Sequence, residues 1–212
     1  MTEIAEPSSL ITEEDLFLFN EGSHFRLWDK LGSHPTLGGT HFAVWAPNAE
    51  ALSVIGDHNG WDSRANPLRE RGSSGIWEGF LPRIGRGAVY KYHIRSRGSD
   101  YQVEKADPLA FSAEVAPKTG SVVWDLDYEW ADAEWMRTRH QRNAAKAPCS
   151  IYEVHVGSWM RVPEEDNRSL HYWELSGPLA DHCARMGFTH VELLPVMEHP
   201  FFGSWGLSLI HI

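Results

Sequence analysis

The strongest constraint on the fold lies between residues 34 and 128, where short β-type runs alternate with turns rich in glycine and asparagine. Residues 89–95 form the clearest run, because its apolar and polar side chains alternate: Tyr90, Tyr92 and Ile94 against Lys91, His93 and Arg95. A period of two places the two sets on opposite faces of a strand. Similar runs occupy residues 41–45, 52–55 and 77–81. Strands spaced about ten residues apart with such turns predict a β-sandwich of Greek-key type.

The segments on either side of the sandwich have helical character. Thr12 followed by Glu13, Glu14 and Asp15 predicts a helix start, because a hydroxyl can cap the first turn and acids suit its positive end. A second short helix is predicted over residues 25–30, with Gly32 just beyond it. Residues 1–33 are therefore predicted to form a helical arm. Residues 129–147 are charged and predict a polar linker helix that ends before a proline.

The pattern changes again after residue 148. Two apolar β-type runs, 150–156 and 189–196, flank a predicted helix that Ser176 caps and Gly187 closes. Pro178 falls in the first turn of that helix, and its expected inner stripe consists of Leu179, Cys183 and Met186. Strand, helix and strand with this texture predict one βαβ unit of a parallel sheet.

Charge and hydropathy exclude several classes of partner. The 212 residues carry a net charge of −10, which argues against nucleic acid because phosphate binding needs a basic face. The longest apolar runs are too short to cross a bilayer, and the first ten residues lack the pattern of a secretory signal. Cys149 and Cys183 do not form a metal-type pair. We expect free thiols in a cytoplasmic protein, with neither a nucleic acid nor a membrane as partner.

A turn at residues 56–62 presents one large aromatic side chain, Trp61. Two interpretations stay open from the residues alone. Trp61 either plugs the end of the sandwich or offers a flat surface for stacking on a sugar, with Asn59 beside it as a hydrogen-bond partner. The chain holds 10 tryptophans, and composition does not separate the two.

Residues 42–49 and the turn at 56–62 resemble the opening strand and the Asn-Gly-Trp turn of family 48 carbohydrate-binding modules. Residues 148–159 and 187–206 resemble the first two strands of the catalytic barrel of glycoside hydrolase family 13, in the form found in bacterial glycogen branching enzymes. The resemblance covers about residues 16–206. It implies a mostly β, multi-domain fold: an immunoglobulin-like β-sandwich followed by the first βαβ unit of a truncated (β/α)₈ barrel.

The resemblance also implies a reaction and a ligand. The family cleaves an α-1,4-linked glucan and transfers the released segment to a 6-hydroxyl, through a covalent glycosyl-enzyme intermediate. The chemistry requires no metal and no organic cofactor. The implied partner is α-1,4-glucan, such as glycogen or amylose. The family's catalytic carboxylates come from later barrel strands, so we assign no catalytic residue to this sequence.

Several polar residues near the two barrel-type strands are candidates for lesser roles. Glu153 and His155 share one face of a strand, and we interpret them as structural polar residues rather than as an acid–base pair. Glu192 and Glu198 flank the second strand, and Glu198 falls at the rim where barrel enzymes keep their sites. The candidate binding residues are Asn59, Trp61, His199 and Trp205. His155, His190 and His199 lack the spacing of a metal site.

The resemblance stops after Gly206, where the family continues with Tyr-Gln and this chain has Leu207-Ser208. We therefore expect residues 148–206 to be the start of a truncated barrel. We expect residues 207–212 to be an aberrant tail resembling translated adapter sequence. With only two barrel strands, Leu193, Leu194 and Val196 should be exposed and the region after residue 148 poorly protected.

The expected function is the N-terminal part of a 1,4-α-glucan branching enzyme, inactive by itself and at most able to bind glucan. Two alternatives stay open. One is a non-catalytic glycan-binding module, and the other is part of a related family 13 debranching enzyme or trehalohydrolase.

Overall fold

In the computed structural model of the protein, residues 9–115 and 117–197 are described. The chain divides into two compact units, residues 1–128 and 129–212. The first unit begins with helix α1 (Glu13–Glu21), which Thr12 caps as predicted. The Thr12 hydroxyl accepts a 3.1 Å hydrogen bond from the Asp15 amide, and the Asp15 carboxylate accepts from the Thr12 amide at 2.8 Å. The second predicted helix is a single 3₁₀ turn, Leu27–Asp29.

In the described part of the first unit, nine strands form the sandwich: β1 (Gly32–Thr36), β2 (Gly39–Trp45), β3 (Ala49–Gly56), β4 (Arg69–Glu70), β5 (Ile76–Pro82), β6 (Val89–Ser96), β7 (Gln102–Lys105), β8 (Ser112–Ala113) and β9 (Ser121–Val122). The first sheet has the order β1-β2-β5-β4, and the second has β3-β6-β9-β8 with β7 also on β6. All of these pairings are antiparallel. The prediction of a mostly β fold with antiparallel sheets is confirmed.

The core of the sandwich lies between the inner faces of the two sheets. The alternation predicted for β6 is observed: Tyr90 and Tyr92 are completely buried and Arg95 is exposed. Phe42 on β2 lies edge-on to the ring of Tyr90, with ring centroids 5.0 Å apart. Edge-to-face packing of this kind adds to the stabilisation that buried aromatic area provides.

The arm before β1 covers part of the outer face of the first sheet. Ala43 and Ile76 point away from the sandwich core and are buried against Ile11 and Leu31 of the arm. Burial of apolar area on this second face stabilises the arm by roughly 25 cal/mol for each Å² removed from water. The rest of the outer face, around His41 and Phe80, is not covered by these side chains.

One carboxylate is buried inside the first unit. Asp107 is 7% exposed, and its Oδ2 atom accepts hydrogen bonds from the hydroxyls of Tyr90 at 2.7 Å and Tyr92 at 3.0 Å. Its Oδ1 atom accepts from the Leu109 amide at 2.9 Å. Burial raises the pKa of Asp107, although these donors act in the opposite direction.

The second unit contains α2 (Ala133–Arg142), β10 (Ile151–Val154), α3 (Val156–Trp159), β11 (Arg161–Val162), β12 (Arg168–Ser169), α4 (Tyr172–Met186) and β13 (His190–Leu193). Strands β10 and β13 pair in parallel, and α4 lies between them in the chain. The small core consists of Val154, Leu175, Leu179 and Cys183. The helix predicted over residues 129–147 is shorter, since it covers only Ala133–Arg142.

Helix α4 begins earlier than predicted. Ser176 does not cap it, because the helix starts at Tyr172 and the carboxylate of Glu174 accepts a 2.7 Å hydrogen bond from the His171 amide. Arg168 also holds Glu174, at 2.8 Å. Pro178 therefore lies inside the helix, where its missing N–H leaves a carbonyl one turn earlier without a helical partner.

The expected inner stripe of α4 is correct for Leu179 and Cys183 and wrong for Met186, which is 61% exposed. The buried positions are Leu175, Leu179 and Cys183, a spacing of four that follows one helix face. On strand β13, Leu193 is 44% exposed, and beyond the strand Val196 is 45% exposed, as expected. Leu194 is partly exposed.

Among the described residues, no helix has both the length and the apolar character that crossing a membrane requires. Both cysteines are free, as predicted. Cys149 is exposed and Cys183 is buried.

Candidate functional site

The turn after β3 begins where the chain passes very close to a neighbouring strand. A Cβ atom on Gly56 would lie 2.2 Å from the backbone oxygen of Val89, so only glycine fits there. The 3₁₀ turn Asp57–Asn59 follows, and Gly60 then adopts a left-handed conformation with φ 63°. This backbone brings Trp61 to the outside of the turn.

Asn59 holds the turn together through its side-chain amide. Its Oδ1 atom accepts hydrogen bonds of 3.1 Å from the backbone amides of Gly56 and Trp61. Its Nδ2 atom donates to the Val54 carbonyl at 3.0 Å and to Asn66 Oδ1 at 2.7 Å. These bonds use both acceptor positions and both donors of the amide. Asn59 was predicted to be a hydrogen-bond partner for sugar, but all of the hydrogen-bonding capacity of its side-chain amide is used within the protein.

Trp61 is 38% exposed and does not belong to the buried core. Its indole Nε1 donates a 2.9 Å hydrogen bond to Asp57 Oδ1. Its φ of 62° is unusual for a large side chain and costs on the order of 1–3 kcal/mol. The turn therefore presents a partly exposed aromatic ring in a defined orientation.

Trp124, another exposed tryptophan of the first unit, has one face of its ring covered. The guanidinium of Arg86 lies 3.8 Å from the centroid of the Trp124 ring, and Arg86 also pairs with Asp125 at 3.4 Å. A cation over the ring occupies one of its faces. Of the two rings, Trp61 has the arrangement that leaves an aromatic surface for a ligand.

The candidates in the second unit are placed by the parallel strands. Glu153 on β10 is the register partner of Glu192 on β13, and both are exposed. The Nδ1 atom of His155 lies 2.7 Å from Ser158 Oγ, a local contact. No group of three His, Cys, Asp or Glu side chains within the described residues could hold a metal ion. Glu198, His199 and Trp205 lie outside the described residues.

Asp57 and Asn66 are parts of this site that the sequence patterns did not predict. Asp57 is four residues before Trp61 and carries the acceptor for its indole N–H. Asn66 accepts from Asn59 across a loop of seven residues. The first could have been found from its position in the motif, whereas the second depends on the path of the loop.

Comparison with known proteins assigns the segment that contains this turn. Residues 30–110 match the family described as Carbohydrate-binding module 48 (Isoamylase N-terminal domain). The chain is 52% identical over 209 residues, 95% of its length, to the 1,4-alpha-glucan branching enzyme GlgB of Gloeobacter violaceus. It is 53% identical over 206 residues to the GlgB of Aquifex aeolicus. Along 95% of its length, the chain is similar to GlgB branching enzymes.

The match covers only part of these relatives. The chain spans 28% of the Gloeobacter violaceus GlgB and 32% of the Aquifex aeolicus GlgB. Among solved structures, a mutant of PulA from Klebsiella pneumoniae in complex with maltotriose is similar, with a TM-score of 0.56 and 25% identity. That similarity covers 80% of this chain and 20% of the PulA chain. The turn with Asn59 and Trp61 lies inside the matched carbohydrate-binding module.

Proposed function

We propose that this chain binds α-1,4-glucan through the turn at residues 56–62, with Trp61 as the stacking surface. The observation that carries the proposal is the exposed and oriented ring of Trp61 within a module described as carbohydrate-binding. The maltotriose complex of the similar PulA mutant supports an α-glucan as the ligand class.

The geometry explains how such a site would gain affinity. A pyranose ring presents C–H groups on its faces, and these pack against an aromatic plane. Because Asp57 and Asn59 already restrict Trp61, little side-chain freedom is lost when a sugar binds. A single stacking contact of this size gives affinity in the millimolar range, about 4 kcal/mol. Asn59 contributes by positioning Trp61.

We further propose that the chain is the N-terminal part of a cytoplasmic 1,4-α-glucan branching enzyme. In this proposal residues 1–33 form an arm, 34–128 the binding module and 129–147 a linker. Residues 148–206 supply the first βαβ unit of a (β/α)₈ barrel. The parallel pairing of β10 with β13 supports that assignment. His199 and Trp205 remain proposed glucan contacts at the rim of that barrel.

The alternatives have less support. Identities of 52% and 53% to GlgB enzymes favour a branching enzyme over a debranching enzyme or trehalohydrolase. A glycan-binding module without activity describes what this chain would do by itself. We expect the purified chain to leave the iodine–amylose spectrum unchanged. A shift in that spectrum, with contaminating enzyme excluded, would contradict this expectation.

Electrophoresis through a gel containing glycogen tests the binding site. The wild-type chain should be retarded, and Trp61→Ala should lose most of that retardation. Trp28→Ala is the matched control, because Trp28 is a 47% exposed tryptophan outside the turn and its loss should preserve retardation. Equal retardation of wild type and Trp61→Ala would remove Trp61 from the proposal.

A further inference from the structure

A cavity of about 480 Å³ lies beside the outer face of the first sheet. Its floor includes His41 on β2 and both Glu78 and Phe80 on β5, and the arm contributes Leu10, Ile11 and Lys30. This is the part of the outer face that the apolar side chains of the described part of the arm, residues 9–33, leave uncovered. The volume is within the range of pockets that bind small ligands.

The charged groups that line the cavity are already paired. Lys30 Nζ lies 2.9 Å from Asp15 Oδ2 and also donates to the Leu10 carbonyl. Glu78 is 5% exposed, and its Oε1 atom lies 2.8 Å from Arg71 Nη1 and 3.7 Å from Arg69 Nη2. A bound anion or cation would have to compete with these ion pairs. The lining therefore favours an uncharged ligand.

His41 differs from the charged residues, because its ring nitrogens have no hydrogen-bond partner within residues 9–115 and 117–197. Burial lowers the pKa of His41, the carboxylate of Glu78 acts in the opposite direction, and His34 lowers it further; the net shift is downward and favours the neutral imidazole near pH 7. A neutral imidazole offers one N–H donor and one acceptor. The Phe80 ring lies 4.8 Å from the His41 ring, centroid to centroid.

We infer that this cavity binds one pyranose unit of an α-glucan, with the aromatic Phe80 beside the sugar and His41 hydrogen-bonded to its hydroxyls. A hexose is uncharged, carries adjacent hydroxyls that donate and accept, and has an apolar face. The paired charges, the neutral imidazole and the neighbouring ring match these three properties in turn. The inference takes its ligand class from the proposed glucan binding, but it concerns a second site with different residues.

Imidazole resonances of the full 212-residue chain provide the test. Maltoheptaose is titrated into the Trp61→Ala chain, in which the turn no longer contributes. The His41 side-chain signals should shift and saturate, while those of the exposed His140 should not. Inorganic phosphate, used as the anion probe, should leave His41 unshifted.

A substitution gives a second measurement. Phe80→Ala should weaken the maltoheptaose response of His41 by up to about tenfold, because it removes the stacking surface. Phe25→Ala is the control, since Phe25 is 81% exposed and does not line the cavity. If Phe80→Ala does not fold, the response of the His41 signals to maltoheptaose in the Trp61→Ala chain is sufficient to decide whether the cavity binds sugar.

The outcomes separate this inference from the proposed function. If Trp61 of the wild-type chain responds to maltoheptaose and His41 does not, the second site is refuted while glucan binding stands. If neither responds, both fail. If His41 alone responds, the second site stands and the assignment of Trp61 fails. A response of His41 to phosphate but not to maltoheptaose would make the cavity an anion site and overturn the inference.

Discussion

The indole Nε1 of Trp61 donates a 2.9 Å hydrogen bond to Asp57 Oδ1, four residues earlier in the same turn. This bond ties the edge of the ring to the turn that carries it. Because the ring is 38% exposed, the contact restricts its orientation without burying its surface. Asp57 thus belongs to the proposed site, although we place it behind the stacking surface and not against the sugar.

Replacing Asp57 by alanine should weaken glucan binding while Trp61 is still present. Without the hydrogen bond, the Trp61 ring would rotate freely in the unbound chain and would become fixed only when glucan binds. Fixing the ring at that step costs on the order of 0.5–1.5 kcal/mol, which lowers the affinity a few-fold. Affinity electrophoresis through a gel containing glycogen measures the change in affinity. Asp62→Ala is the control, because the Asp62 carboxylate pairs with Arg64 in the same loop, whereas the indole N–H donates to Asp57. Unchanged affinity in Asp57→Ala would show that the bond is not needed.

Asn59 offers a prediction on stability. Asn59→Ala removes the acceptor for two backbone amides and the donors to Val54 and Asn66, and should destabilise the first unit by roughly 2 kcal/mol. Asn59→Asp keeps the acceptor and loses the donors, so its cost should be intermediate if Asn66 can reorient. Urea unfolding measures both. A wild-type free energy of unfolding in Asn59→Ala would contradict the role assigned to Asn59.

The buried carboxylate of Asp107 predicts how stability varies with pH. Burial raises its folded-state pKa above the unfolded value of about 3.9. The contribution of Asp107 is therefore full below that unfolded value and is lost as pH rises through the folded-state pKa. The advantage of the wild-type chain over Asp107→Asn should accordingly be largest at acid pH and decrease toward neutral pH.

Urea unfolding of both chains at a series of pH values checks this prediction. Asp62→Asn provides a comparison of opposite sign, because hydrogen bonds from Arg64 lower the pKa of Asp62. There the wild-type advantage should grow as pH rises. An Asp107→Asn difference that is independent of pH, or that grows with pH, would show that Asp107 has no raised pKa in the folded chain.

The two units should differ in resistance to opening. Among the residues that the structure describes, the sandwich core contains twelve buried residues, whereas the core of the second unit contains four and strand β13 is exposed throughout. Limited proteolysis should therefore leave a stable product that ends within residues 129–147. Hydrogen exchange should be faster in β10 and β13 than in β6. Equal protection of the three strands would refute this difference.

Leu179→Ala tests whether the second unit is the less stable of the two. Leu179 is 8% exposed in the small core, and its truncation should cost about 2–5 kcal/mol. The second unit should then unfold at lower urea while glycogen retardation is unchanged. Met186→Ala is the matched control, because Met186 lies on the same helix and is 61% exposed.

Local patterns were sufficient for much of the architecture. The alternation around Tyr90 and Tyr92 determines which side chains of β6 can share a face, because the period of a strand is set by its backbone. The Thr12–Asp15 pair likewise determines the start of α1, since capping bonds join residues only three apart. The turn that exposes Trp61 is encoded within residues 56–62, where Gly56 and Gly60 permit a backbone that other residues would not.

Contacts between distant residues decided the rest. The start of α4 depends on Arg168 and Glu174, and Ser176 offered an equally plausible cap from sequence. The role of Asn59 depends on Asn66 across a loop, and only the folded chain shows that its amide has no hydrogen bond left for a sugar. The cavity at His41 and Phe80 lies where the apolar side chains of residues 9–33, which bury Ala43 and Ile76, leave neighbouring positions of the same sheet uncovered. Such packing is set by the positions of whole elements in space, and no local period or spacing contains that information.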